Sequence, residues 1–161
     1  MIDIYFAKLK PGAMIPSKAD ENAGYDIYAC FEDNHIEIRP GEIKLIPTGI
    51  ASAFSSDFVL QINERSSSGS KGLAIRAGVI DSGYRGEIFV ALNNVTNKPI
   101  IITNKSDDFD QISNTIWPNS RAIAQALLLP VPKTKVLELS LEDLQKIDSK
   151  RGASALGASG K

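Results

Sequence analysis

The chain has 161 residues and a mass of 17.4 kDa, with 43% apolar and 23% charged residues. That usage suits one ordinary globular domain and excludes a disordered, collagenous or coiled-coil chain. Lys and Arg number 18 against 19 Asp and Glu, for a net charge of −1, so there is no bulk positive field to hold nucleic acid directly or to draw the chain onto a membrane.

With one cysteine, Cys30, and one histidine, His35, neither an internal disulfide nor a Cys/His metal site can form. Cys30 reads as a small buried hydrophobe and His35 as a surface or strand position. The opening MIDIYFAKLKPG alternates and lacks a basic start with an apolar run, so it is not read as a signal peptide, and the expected location is cytoplasmic.

In chain order, Ile2-Ile4-Phe6 alternates, and so does His35 to Arg39, which ends at the turn dipeptide Pro40-Gly41. Ile43–Ile46 and Gly49–Ala53 follow, broken by Pro47, and Phe58–Ile62 is a further strand. Ile88–Leu92 is expected to end at Asn93-Asn94, and Pro99–Thr103 carries three consecutive isoleucines. Ala122–Leu129 is an apolar run closed by Pro130, and Val136–Leu139 alternates again. Helical signals are confined to Ser140-Leu141-Glu142-Asp143, which has the form of an N-cap box, with Leu141, Leu144 and Ile147 at helical spacing. Short strands at this rhythm predict an all-β domain.

Two segments depart from the rhythm. Residues 104–120 are polar, acidic in their first half, and contain the only tryptophan, Trp117; they read as a solvent-exposed loop insertion, the alternative being a protein-binding surface anchored by exposed Phe109 and Trp117. Residues 149–161 are mostly Gly, Ala and Ser and read as a flexible tail following a domain of residues 1–148.

Four patterns carry chemistry. Ala23-Gly24-Tyr25-Asp26 sets a carboxylate after a turn glycine, and Arg65 to Gly72 combines cations, hydroxyls and glycines suited to an anion. Gly78 to Gly86 (GVIDSGYRG) joins two strands through a turn bearing Asp81, Tyr84 and Arg85, and Arg151-Gly152 opens the glycine-bearing tail.

Together these patterns resemble the ordered motifs of the trimeric deoxyuridine triphosphatases (dUTPases). Ala23–Asp26 is similar to the first motif, Arg65-Ser66-Ser67 to the second and Gly78–Gly86 to the third. Ile123-Ala124-Gln125 is similar to the fourth, and Arg151 through Gly160 to the fifth. The resemblance implies a distorted jelly-roll or β-sandwich-like barrel, a homotrimer with active sites where subunits meet, and hydrolysis of dUTP to dUMP and pyrophosphate with Mg²⁺ on the triphosphate. It implies Asp81 as general base, Arg65, Ser66, Gln125 and Arg151 as phosphate contacts, and Ser67 as a further substrate-binding residue. It further implies Gly78 and Phe89 main-chain groups as readers of uracil, Tyr84 as the surface under the deoxyribose, and Asp26 as holder of a Mg²⁺-bound water. The tail would close over a site through Leu156, Gly157 and Ser159.

The sequence also departs from the family pattern. Glu64 stands where proline commonly precedes Arg65, Arg121-Ala122 replaces the usual Asp-Arg, and Leu156 replaces the phenylalanine that stacks over the base. An aromatic–base stack is worth about 1–3 kcal/mol, so a weaker lid is expected. Two rival readings accompany the resemblance. A dCTP deaminase needs a glutamate on the strand after the turn, where Phe89-Val90-Ala91-Leu92-Asn93 has no acid. A nucleotide-sensing or protein-binding module with weak turnover would draw on the altered tail and residues 104–120.

Overall fold

The computed structural model describes residues 2–153. The first strands are β1 (Ile4–Lys8), β2 (Tyr25–Ile27), β3 (His35–Ile38), β4 (Ile43–Pro47), β5 (Ile50–Phe54) and β6 (Phe58–Asn63). A one-turn helix, α1 (Ser66–Gly69), precedes β7 (Leu73–Arg76), β8 (Val79–Ile80), β9 (Phe89–Asn94) and β10 (Ile100–Thr103). After a 3₁₀ turn at Ser106–Asp108 come β11 (Thr115–Pro118), β12 (Ala124–Pro130) and the helix α2 (Leu141–Lys146). The domain is all-β, as the spacing of apolar residues predicts.

These strands form four small sheets: β1-β5, β11-β10-β3, β2-β12-β6-β8 and β4-β9-β7. Every pair is antiparallel except β10 with β11. Their inward faces meet in a core of Ile27, Ile38, Ile46, Leu60, Leu92 and Ile102. Full burial of each such side chain is worth about 1.5–3 kcal/mol. All four residues of β10 are buried, as expected for a central strand covered on both faces.

Pro47 closes β4 opposite Phe89 of β9, so the break before β5 falls where the sequence places it. β9 ends at Asn93-Asn94 as expected, but both asparagines belong to the strand and are buried. Burial is tolerated because their amides are bonded: Asn94 Nδ2 donates to the Ile38 carbonyl at 2.9 Å and to the Lys98 carbonyl at 2.8 Å. Val136–Leu139 is exposed, unpaired chain, because alternation makes a strand only where a partner edge exists. By contrast α2 forms where the N-cap box predicts, with Ser140 Oγ accepting the Asp143 N–H at 3.1 Å.

Residues 104–120 are only partly a loop. Thr115–Pro118 forms β11 beside β10, and Trp117 is buried. Its indole N–H donates to the Arg121 carbonyl at 3.3 Å, and the Arg121 guanidinium covers the ring at 4.4 Å. Phe109 is half-buried and meets His35 edge-on at 4.8 Å. Neither aromatic is the exposed anchor that the sequence suggests. Cys30 is half-buried against the core, and His35 opens β3.

Candidate active site

Two depressions hold most of the predicted site residues. The first, about 610 Å³, is lined by Asp26, Arg65, Ser66, Ser67 and Gln125. Arg65 leaves β6 in extended conformation and precedes α1. The buried Ser68 fixes its main chain, accepting the Arg65 N–H and donating to the Arg65 carbonyl, both at 3.1 Å. At the other end of the side chain, Arg65 Nε lies 2.8 Å from Asp26 Oδ1, and Nη2 donates to Oδ2 at 3.3 Å. This two-point fork holds a planar guanidinium in one orientation.

Gln125 pairs with Asp26 in register across β12 and β2, and its Nε2 donates to the Glu64 carbonyl at 2.7 Å. A Cβ on Gly24 would lie 2.5 Å from Gln125 Oε1, so only glycine lets the first-motif backbone approach this amide. Glu64 has a second use: its Oε1 accepts the Ile75 N–H at 2.7 Å, filling a donor on the β7 edge.

The second depression, about 240 Å³, is lined by Val79, Ile80, Asp81, Tyr84, Glu87 and Phe89. The segment between β8 and β9 is not a hairpin. β8 pairs with β6, while β9 pairs with β4 and β7, so Asp81 and Tyr84 stand on a corner between two sheets. Ahead of β8, in the link from β7, Ala77 has a φ of 49°, a left-handed conformation costing roughly 1–2 kcal/mol. Gly78 follows, where a Cβ would collide with the Ile62 carbonyl; the Gly78 carbonyl accepts the Ile62 N–H at 2.7 Å. Asp81 is exposed, and among the described residues no donor reaches its carboxylate. Arg85 Nη1 donates to the carbonyls of Ser82 at 2.6 Å and Tyr84 at 2.9 Å, stiffening the turn.

The dUTPase family model matches residues 10–112 of the chain. A deoxyuridine 5'-triphosphate nucleotidohydrolase of Nautilia profundicola is 36% identical over 96% of this chain and 96% of its own length. The chain belongs to the dUTPase family. A nucleotidohydrolase of the same name from Mycolicibacterium gilvum is 36% identical, covering 95% of this chain and 92% of its own. Among solved structures, a Staphylococcus bacteriophage 80alpha dUTPase, a Y84F mutant with dUpNHpp, superposes with a TM-score of 0.72 at 24% identity. That match covers 99% of both chains, and the likeness is one of fold.

Within this dUTPase-family chain the motif residues divide between the two depressions, which share no lining residue. Arg65, Ser66, Ser67, Gln125 and Asp26 come together; Asp81, Tyr84 and Phe89 come together elsewhere. Arg151 is exposed near the end of the described chain, while Leu156, Gly157 and Ser159 lie outside the described residues. Ser68, Glu64 and Gly24, which position the cleft, are not among the residues that the dUTPase resemblance assigns to the site. Glu64 and Ser68 flank the second motif and Gly24 lies within the first, and that placement is the available signal. Arg121 is occupied by Trp117. Among the described residues, no helix is long and apolar enough to cross a membrane.

Proposed function

We propose that the chain hydrolyses dUTP to dUMP and pyrophosphate, with Asp81 as general base. Its family membership and the names of its relatives support the substrate. The observation that carries the mechanism is Arg65 held by Asp26 at the mouth of a hydroxyl-lined cleft. In a protein without net positive charge, phosphate recognition depends on a few such placed donors.

Water attacks the α-phosphorus, forming a new P–O bond as the bond to the bridging oxygen of the leaving pyrophosphate breaks. Asp81 accepts the water proton. Arg65, the Ser66 and Ser67 hydroxyls, the remaining N–H of Gln125, and Arg151 stabilise charge on the phosphates. Tyr84 supports the deoxyribose, and the Gly78 and Phe89 main chains read the base. The carboxylate-free face of β9 supports hydrolysis over deamination.

Asp26 suits a limited role toward Mg²⁺. Both its oxygens face Arg65, leaving lone pairs for a metal-bound water, and among the described residues no group of three His, Cys, Asp or Glu side chains gathers to hold an ion. Bound on the triphosphate, Mg²⁺ supplies charge neutralisation.

The division of the motif residues between two depressions supports a site completed by assembly, with the donor cleft of one copy facing the Asp81 corner of another in a homotrimer. The exposed apolar residues Val136, Leu137 and Leu141, at 94%, 68% and 69%, support an arm that packs on a neighbouring copy. The test is pyrophosphate release from dUTP, dCTP, dTTP and UTP with Mg²⁺, for the wild type and Asp81→Asn, beside a solution mass measurement. Selective release from dUTP, abolished in the variant, and a trimeric mass are expected. Undiminished release by Asp81→Asn overturns the general-base assignment, and an active monomer overturns the shared site.

A further inference from the structure

We propose that Lys10 and Glu87 form a clamp that positions Tyr84 and so sets the preference for a deoxyribonucleotide over a ribonucleotide. The inference rests on the reading of Tyr84 as the surface under the sugar. Residues 81–88 have no ladder of their own, because β8 and β9 pair with other strands. Something else must fix where the Tyr84 ring points.

The ring is fastened at its far end: Tyr84 Oη donates to the Glu87 carbonyl at 2.9 Å. Gly86 makes this possible, because a Cβ there would run into the Tyr84 hydroxyl. The orientation of the ring therefore follows the position of Glu87. That residue is pinned through its side chain. Glu87 Oε1 accepts the Gly49 N–H at 2.9 Å and a Lys10 Nζ–H at 3.1 Å, and Oε2 lies 3.0 Å from the same ammonium. Only 15% of the Glu87 side chain is exposed, against 39% for Lys10.

The anchors do not yield easily. Gly49 has a φ of 66°, and a Cβ there would meet Ala13 at 2.9 Å and Cys30 Sγ at 3.1 Å. Its backbone is thus set within packed side chains. Lys10, two residues beyond β1, brings the clamp a charge from the other end of the sequence. One residue further on, the Ile88 N–H donates to the Ile50 carbonyl at 2.8 Å, so Glu87 is held through both side chain and following main chain. A carboxylate this shielded is costly to leave without its cation, which makes the pair act as one device.

Lys10 and Glu87 are positioning residues: Glu87 lines the Asp81 depression, but its carboxylate is taken up by Lys10 and the Gly49 N–H, so the pair acts on the nucleotide through Tyr84. Lys10→Met and Glu87→Gln should each lower the dUTP-to-UTP ratio of kcat/KM by about tenfold, the scale of a modest misplacement. The double variant should do no worse than either single one, and Lys10→Arg should restore the ratio. An unchanged ratio in a folded single variant, an equal loss for both nucleotides, or failure of Lys10→Arg to rescue overturns the clamp. If Glu87→Gln does not fold, the Lys10 pair of variants decides by the same ratio. Wild type without preference for dUTP, or undiminished turnover in Asp81→Asn, instead overturns the underlying site reading, and both controls are read before any clamp variant.

Discussion

Asp26 and Arg65 are 39 residues apart in sequence yet meet through two contacts, at 2.8 Å and 3.3 Å. About a third of each side chain is exposed, so the pair contributes little to stability, on the order of 0–1 kcal/mol. Its value lies in orientation. Asp26→Asn should leave the melting temperature nearly unchanged and lower kcat/KM for dUTP about tenfold. Arg65→Lys keeps the charge but loses the fork and should cost about 100-fold. Steady-state kinetics beside thermal denaturation checks both; an Arg65→Lys variant equal to wild type would show that charge alone suffices.

Gly24→Ala tests the packing beneath that pair. The new Cβ would lie 2.5 Å from Gln125 Oε1 and 3.0 Å from its Cβ and Cδ. The Gln125 amide must then swing away from the Glu64 carbonyl. Overpacking of this kind costs about 1–3 kcal/mol, and kcat/KM should fall with it. Adding Gln125→Ala to Gly24→Ala should recover part of the lost melting temperature, since the amide contacts go and only the one with the Gln125 Cβ remains. Strict additivity of the two changes in denaturation would count against the contact.

What the sequence disclosed depended on whether a signal was local. The three isoleucines of β10 and the Ser140 cap both lie within one element, and both were legible. Pairing was not, because period-two alternation marks a strand without naming its neighbour. That is why 78–86 resembles a hairpin yet bridges two sheets, and why Val136–Leu139 resembles a strand yet has no partner. Burial of polar residues was not legible either: Asn94 ends its strand as read, yet has the hydrogen bonds of a core residue. In the candidate site, Arg65, Gln125 and Asp81 were legible from the motifs that hold them. Lys10 and Glu87 were not, since 77 residues separate them and neither contact leaves a local pattern.

Trp117 provides a probe of the 104–120 segment. As the only tryptophan, packed beneath Arg121, it should emit at short wavelength, resist iodide quenching in the folded protein, and shift to longer wavelength on unfolding. Trp117→Ala should destabilise by about 3–5 kcal/mol, as expected when a large core side chain is removed. Trp117→Phe, which mainly loses the hydrogen bond to the Arg121 carbonyl, should cost nearer 1 kcal/mol. Strong quenching in the native state would place the indole at the surface and overturn the burial.

Acidification should loosen the chain where the C-terminal arm leaves the β domain. Asp57 lies 2.8 Å from Lys133 Nζ, accepts the Ser55 hydroxyl at 3.0 Å, and offers its carbonyl to the Val131 N–H at 2.7 Å. The hydrogen bond from Lys133, then that from Ser55, holds the Asp57 carboxyl below its ordinary value of 3.8. The same pairing raises Lys133 above 10.5. A depressed acid contributes stability that is present above its unfolded value and lost as pH falls through the lower folded one. A raised ammonium contributes below its unfolded value and loses it as pH climbs through the higher folded one. The tie should therefore be intact at neutral pH and fail at both extremes. Carbon-detected NMR titration should give an Asp57 midpoint below 3.8 in wild type, moving upward in Lys133→Ala. Val131 amide protection, corrected for the intrinsic exchange rate, should fall over the same acid range. An Asp57 midpoint indifferent to Lys133→Ala would mean that the two side chains do not meet in solution.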